Sequence, residues 1–165
     1  MSATTPSEMH AVTQAHGPRE CLTFRIGGED YGIDILQVQE VRSYEAPTRI
    51  AQARPHVLGV LNLRGEIVPV VDMRLQLGIA QANFDDSTVV IVLKVAGRVF
   101  GLVVDSVSDV LGLAPEQLRP VPGIGSGIAA DLLLAIATVN ERMLLLVDID
   151  KLMHSPAFGL AARAD

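Results

Sequence analysis

The chain repeats itself. The stretch LTFRIGGEDYGIDILQVQEV at 22 to 41 aligns without a gap on IVLKVAGRVFGLVVDSVSDV at 91 to 110. Leu22, Phe24 and Ile26 fall on Ile91, Leu93 and Val95; Tyr31-Gly32 falls on Phe100-Gly101; Val38, Glu40 and Val41 fall on Val107, Asp109 and Val110. A second pair, LGVLNLRGEIVPVVDM at 58 to 73 and LAIATVNERMLLLVDI at 134 to 149, sets Leu58 on Leu134, Val71 on Val147 and Asp72 on Asp148. Few residues are identical, so what the copies share is a pattern of burial. One fold built twice within 165 residues is the economical reading.

Each copy reads as short antiparallel strands. Leu22, Phe24 and Ile26 alternate with Thr23 and Arg25, the period of a strand with one buried face and one wet face. The glycine-rich step at 27 to 30 suits a hairpin into Tyr31-Gly32-Ile33. The runs 66 to 72 and 142 to 148 are Val-, Ile- and Leu-rich, and each follows turn chemistry, Arg64-Gly65 or Asn140-Glu141. Strands of this length at this spacing build small barrels. Helix is confined to short turns. Asp72 and Asp148 are placed to cap MRLQLG and IDKLMH, with Gly78 ending the first; PEQLRP opens with Pro115 at a first helical position, and Ser155-Pro156 opens a last short helix.

Composition removes several functions. There are 13 lysines and arginines against 19 acidic residues, a net charge of -6, with four phenylalanines, two tyrosines and no tryptophan. Nucleic acid is therefore not an expected partner, since phosphate binding draws on clustered cations and single strands on stacking aromatics. The lone Cys21 excludes an internal disulfide and a multi-cysteine zinc site and points to a reducing compartment. The longest uncharged apolar run near the end, LLLAIATV, is far short of the ~20 residues of a spanning helix. Residues 1 to 19 lack the apolar segment of a secretory leader and read as a flexible tail.

No catalytic constellation stands out. His10 and His16 lie in the tail, and His56 and His154 have no ligand neighbours at metal spacing. GIGSG at 123 to 127 lacks the Lys-Ser/Thr of a phosphate loop and follows Pro120 and Pro122, which mark a crossover loop. Asp72 and Asp148 occupy matching positions, as a carboxylate pair in a hydrolase would, but helix capping accounts for them better. No cofactor is expected. A small-barrel binder of nucleic acid or oligosaccharide is the competing reading from another class, and the charge and aromatic content oppose it.

Function is best sought where the copies differ. Asn62, Arg64, Gly65 and Pro69 stand opposite Thr138, Asn140, Glu141 and Leu145. Proline has no amide to donate, so Pro69 is expected on an edge strand or at a bulge. Arg64 at a hairpin tip either projects beyond an apolar rim as an interface anchor or is a solvated turn residue. The repeat mates Val38 and Val107, and Val41 and Val110, either line a groove between the copies or belong to the core.

The segments YGIDILQVQEVRSY, PTRIAQARPHVLGVLNLRGEIVPVVDMR, STVVIVL, GLVVDSVSDVLGL, PEQLRPVP and RMLLLVDIDKL, running from about Cys21 to about Ser155, resemble the CheW family of bacterial chemotaxis adaptors. That resemblance implies an all-β fold of two intertwined five-stranded SH3-like barrels sharing a hydrophobic core, with short helical turns. It implies a tail over 1–19, a CheW-like domain over 20–155 with barrel subdomains at roughly 20–87 and 88–155 that exchange strands, and a short helix or tail over 156–165. It also implies a non-catalytic adaptor, monomeric when free and cytoplasmic, joining chemoreceptor cytoplasmic tips to the regulatory domain of the histidine kinase CheA. Recruitment to membrane-associated receptor arrays would follow, without insertion into the membrane. The same scaffold would serve another receptor-kinase pathway, in surface motility or development. Carried over residue by residue, Val38, Glu40, Arg64, Val107 and Val110 match receptor-coupling positions, and Gly59, Arg119 and Ile124 match kinase-facing ones.

Overall fold

The structure is a computed structural model, and it describes residues 17–49, 57–76, 84–121 and 132–154. The strands are β1 (Glu20–Ile26), β2 (Glu29–Asp34), β3 (Val38–Ser43), β4 (Val57–Leu63), β5 (Glu66–Asp72), β6 (Val89–Val95), β7 (Arg98–Val104), β8 (Ser106–Gly112), β9 (Leu118–Arg119), β10 (Leu133–Val139) and β11 (Arg142–Val147). Two short helices, α1 (Met73–Gln76) and α2 (Ile149–Met153), follow β5 and β11, and single 3-10 turns occupy Ile35–Gln37 and Pro115–Gln117. Ile124, the GIGSG loop, Gly78, His56, the tail histidines and the segment after His154 lie outside the described residues.

Each sheet draws on both halves of the chain. One sheet runs β8-β1-β2-β11-β10-β9 and the other β3-β6-β7-β5-β4. Replacing every strand of the second by its repeat mate gives the first, with β9 added. The two N-terminal hairpins, β1–β2 and β6–β7, have therefore changed places between the barrels. Each joins its host sheet by a parallel pairing at the matched step: Leu146 beside Gly32 in one barrel, Val70 beside Gly101 in the other. The chain after each outer strand then returns to close the barrel. Thr48 bridges Val60, and the equivalent Ile136 pairs with Arg119 on β9.

This exchange decides where the core lies. One apolar cluster gathers Leu22, Phe24, Ile26, Tyr31 and Ile33 with Ile91, Leu93, Val95, Phe100 and Leu102 between the sheets. A second fills one barrel with Cys21, Leu118, Ala135, Ala137, Leu144 and Leu146, and a third fills the other with Leu61, Val68, Val70, Val90, Val92 and Val103. Strands β1 and β6 thus face a core on both sides, which is why β6 reads as a nearly continuous apolar run. The expected wet face of β1 is corrected accordingly: Thr23 is fully buried. It sits where Val92 sits in the other copy, and its hydroxyl is satisfied by Asp109, whose amide donates back to it at 3.0 Å.

The turn chemistry expected at Gly27-Gly28, Arg64-Gly65 and Asn140-Glu141 is present, and Ala96-Gly97 adds a fourth tight hairpin among the described residues. Gly27-Gly28, Arg64-Gly65, Ala96-Gly97 and Asn140-Glu141 all have positive φ at both positions, the twist that two-residue hairpins require. Asp148 caps α2 through the Lys151 amide at 3.1 Å. Pro69 does not mark an edge strand, because β5 lies between β7 and β4. The amide and carbonyl of Val60, opposite Pro69, both bond to Thr48 instead, so the proline nitrogen faces the other flank of β5, where pairing with β7 begins only at Val70. The missing donor is tolerated by a locally unpaired flank of an interior strand.

Gly59 sits at the bulge of β4 with φ of 151°, and a Cβ there would stand 2.1 Å from the Thr48 carbonyl oxygen. Gly65 also has positive φ but open space around it. Gly65→Ala is expected to cost about 1 to 2 kcal/mol from left-handed strain alone. Gly59→Ala must also break the barrel-closing bridge and is expected to cost roughly 3 kcal/mol or more. Urea melts at matched m-value check the order, and equal losses would show that the closure is soft.

Candidate functional site

Matched surface elements on the two barrels each carry an acid-arginine ion pair. On β3, Glu40 accepts from Arg64 at the β4–β5 turn, with Nη2 to Oε2 at 3.0 Å and Nη1 to Oε1 at 3.5 Å. On β8, the mate of Glu40 is Asp109, and Arg142 at the start of β11 comes within 3.7 Å of it. The next strand residue after each acid is an exposed valine, Val41 at 42% and Val110 at 50%, and on β3 it faces the side opposite Glu40. The other two valines, Val38 and Val107, are partly buried and pack on the shared core. The four valines thus divide, one mate pair inward and one outward.

Arg64 is exposed over 64% of its side chain, so its pair with Glu40 is a surface ion pair. Pairs of this kind contribute about 0.2 to 1 kcal/mol and yield to a competing ligand. The turn that carries Arg64 is held independently, by Asn62 Oδ1 accepting from the Gly65 amide at 2.9 Å. Glu40 and Arg64, far apart in sequence, are therefore brought together, and Val38 and Val107 meet at the same core. Gly59 and Arg119 fall on the equivalent closing seams of different barrels. The exposed Arg119 donates to the carbonyls of Glu116 and Leu118 at 3.0 and 3.1 Å.

Sequence reasoning missed a fully buried cation. Arg74, 1% exposed, closes a fork on Asp72 with both nitrogen-oxygen distances at 3.0 Å, reaches Asp105 at 3.1 Å and lies 4.8 Å from the centre of the Phe84 ring. Burial opposes its charge, but hydrogen bonds and charges from Asp72 and Asp105 more than offset that and raise its pKa above the ordinary arginine value. Asp105 also accepts from the Gly27 amide at 2.9 Å, and its own amide donates to the Arg25 carbonyl at 3.1 Å. The fork therefore ties α1 to the β7–β8 bend and, through it, to the β1–β2 turn. The only sequence signal was an arginine two residues after a capping aspartate, where the second copy has Asp150.

Little here offers chemistry. Asp72 is committed to Arg74, and Asp148 caps α2, so neither is an available hydrolytic carboxylate. The His154 Nδ1 donates to the Asp150 carbonyl at 2.8 Å. Among the described residues no three of His, Cys, Asp or Glu are grouped to hold a metal, and no helix is long and apolar enough to cross a membrane. Cys21 is fully buried; burial first, then the charge of Asp109, pushes its thiol up to about 11.

Two outcomes are expected. Arg74→Met strands Asp72 in the interior and should cost about 3 to 5 kcal/mol in urea melts, partly recovered by adding Asp72→Leu. A loss under about 1 kcal/mol would mean that the carboxylate is effectively solvated. Second, the Cys21 thiol ionises near 9 when unfolded and about 11 when folded, so the unfolded chain holds fewer protons in between. Stability should then fall as pH rises from 9 to 11, and Cys21→Ala should flatten that slope.

The family model described as a CheW-like domain matches residues 20–157. A curated relative, Chemotaxis protein CheW of Klebsiella aerogenes, is 49% identical over 142 residues, covering 86% of each chain. Another, Chemotaxis protein CheW of Rhizobium meliloti, is 36% identical over 140 residues, covering 85% of this chain and 90% of the relative. The crystal structure of scaffolding protein TtCheW from Thermoanaerobacter tengcongensis superposes with a TM-score of 0.74 at 28% identity, covering 81% of this chain and 86% of that one.

Proposed function

This chain belongs to the CheW family, and on that premise we propose that it couples the cytoplasmic tips of chemoreceptors to the regulatory domain of the histidine kinase CheA within receptor-kinase arrays. Membership makes it a non-catalytic coupling scaffold of chemotaxis with two SH3-like barrels. The partners, the arrays and the cytoplasmic site of action are the further step.

The observation that carries the proposal is the acid-arginine ion pair that recurs on each barrel, with an exposed valine at the next position of the same strand. A receptor tip presents helices, and helices dock through an apolar stripe flanked by charge. Val110 supplies apolar area without holding the frame together. Arg64 and Glu40 supply a rim whose weak internal pairing a partner can replace. Val38 and Val107 act from beneath, setting the height of β3 and β8 over the core. The kinase is assigned to the barrel-closing seams that hold Gly59 and Arg119, together with Ile124. At Gly59 the surface available is backbone, because a side chain has no room.

Coupling requires that the adaptor bind the kinase's active and inactive arrangements with different free energy, and that receptor binding bias that difference. No bond is made or broken on the adaptor.

Arg64→Ala is expected to leave the melting temperature near that of the parent while weakening receptor-fragment binding by about 1 to 3 kcal/mol. Calorimetry with a chemoreceptor cytoplasmic fragment reads the loss. A shift-perturbation map with the fragment and with the CheA regulatory domain should separate the β3/β8 surface from the seams. Failure of folded protein to bind either partner would overturn the reading.

A further inference from the structure

Strand β3 ends its sheet, and among the described residues no strand pairs with its outer flank. The Tyr44 amide donates to the Thr88 carbonyl at 3.0 Å, and the same register sets Arg42 on Val90 and Glu40 on Val92. Antiparallel ladders bond at every second residue, so Arg42 and Glu40 commit their backbone groups to β6. The amides and carbonyls of Val41 and Ser43 therefore point away from the sheet, along its open edge.

Charges on an open edge ordinarily keep other strands away. On β3 they are arranged about a single residue, with Glu40 before Val41 and Arg42 after it. A second β3 laid antiparallel, with a twofold axis at Val41, sets each Glu40 opposite the Arg42 of the other copy. Those two rungs are the closely spaced kind, with Cα atoms about 4.5 Å apart, where cross-strand pairs of opposite charge interact best. The rung at the axis joins the free backbone groups of the two Val41 residues and sets their side chains, each 42% exposed, side by side. Moving the axis to Arg42 would face arginine with arginine, which opposes pairing.

Two further features favour a copy of this chain as the occupant. Among the described residues the Arg42 Nε is buried with no hydrogen-bond partner, and the guanidinium reaches Glu40 and Glu45 only at 3.8 and 3.5 Å. A facing Glu40 offers that donor an acceptor. The repeat mate β8 also ends its sheet, but Leu111 stands in the place of Arg42, so the same twofold there would face Asp109 with Leu111. Of the two matched edges, β3 is the self-complementary one.

We infer that β3 is a self-pairing edge: two copies of the chain join their β3 strands antiparallel about Val41, making one sheet continuous across a twofold axis. One strand pair is a small contact beside the roughly 1,200 to 2,000 Å² of a stable interface, so the dimer forms at high concentration and the dilute chain is monomeric. The pairing covers Glu40, which the coupling proposal assigns to a receptor, but it needs no receptor to form, so the two readings fail separately.

Sedimentation velocity and amide hydrogen exchange on the full chain, over a dilution series from millimolar to micromolar, test it. The weight-average mass is expected to rise with concentration, and the Val41 and Ser43 amides to gain protection as it does. Glu40→Arg and Arg42→Glu each set like charges opposite and should weaken self-association about tenfold or more. An equimolar mixture of the two variants faces arginine with glutamate on both rungs and should restore it. A mass that stays monomeric throughout, Val41 and Ser43 protection that ignores concentration, a dimer untouched by the charge variants, or a mixture as weak as either variant alone would each overturn the inference. Circular dichroism melts verify that both variants are folded, and the dilution series on the parent chain needs neither.

Discussion

Everything in this molecule hangs on two parallel crossings. At Gly32 a Cβ would meet the Leu146 side chain at 2.9 Å, and at Gly101 it would meet Val90 at 2.8 Å. A larger residue would have to displace the Leu146 side chain of β11 in one barrel and the Val90 side chain of β6 in the other, so both steps are fitted to a bare backbone. Once the exchanged hairpins are in, β1 and β6 are sealed on both faces, and the apolar cluster between the sheets becomes continuous with neither barrel's private core. Neither half of the chain contains a complete sheet, so each sheet forms only through long-range contacts between the halves. Repeats that simply stack, each contacting only its neighbour, would be additive and locally separable. The exchange removes that option and gives a frame whose two outer surfaces hold a fixed geometry.

Against that near-symmetric frame, the charged fork on Arg74 is the main break in symmetry. The second copy satisfies the same position with a plain helix cap, Asp148 to the Lys151 amide. The first copy adds a guanidinium that reaches Asp105, and Asp105 holds the β1–β2 turn of the other sheet. A buried pair of this kind contributes little net stability compared with an apolar replacement, because desolvation offsets most of the Coulomb attraction. What it supplies is direction, since a planar fork accepts one arrangement of its partners. The fork therefore orients the barrels, while the hydrophobic cluster supplies the cohesion.

Much of this was legible in the residues, and the rest was hidden for identifiable reasons. The repeat displayed the strands, the two-residue turns and both capping aspartates, because each depends on neighbours within a few positions. It did not reveal that Thr23 is buried. Alternation reports one core face, whereas the second face of β1 is covered by strands that arrive from the far half of the chain. Pro69 was read as an edge marker because the absence of a donor is visible in sequence, but which flank of the strand lacks a neighbour is not. The acid-arginine symmetry escaped notice for another reason. Glu40 and Asp109 are aligned mates, but Arg142 aligns with Glu66 and not with Arg64, so the two barrels reach one arrangement from different columns. Pattern comparison finds shared positions, and here the shared feature is spatial.

The same distinction bears on how a molecule without reacting groups transmits a signal. Coupling between two sites is usually worth about 1 to 3 kcal/mol, more than a surface pair such as Glu40 and Arg64 contributes, at about 0.2 to 1 kcal/mol. One pair breaking and re-forming cannot then carry the message alone. Two matched surfaces mounted on one incompressible core can, because a partner that seats on both is sensitive to their relative orientation, and packed interiors shift between discrete arrangements more readily than they deform by degrees. The orientation is set by the shared cluster, on which Val38 and Val107 rest beneath the proposed receptor surface, and by the Arg74 fork. On the proposed reading, the shared cluster lies directly beneath the surface that would meet a partner, so the exchanged architecture links that surface to the relative orientation of the barrels.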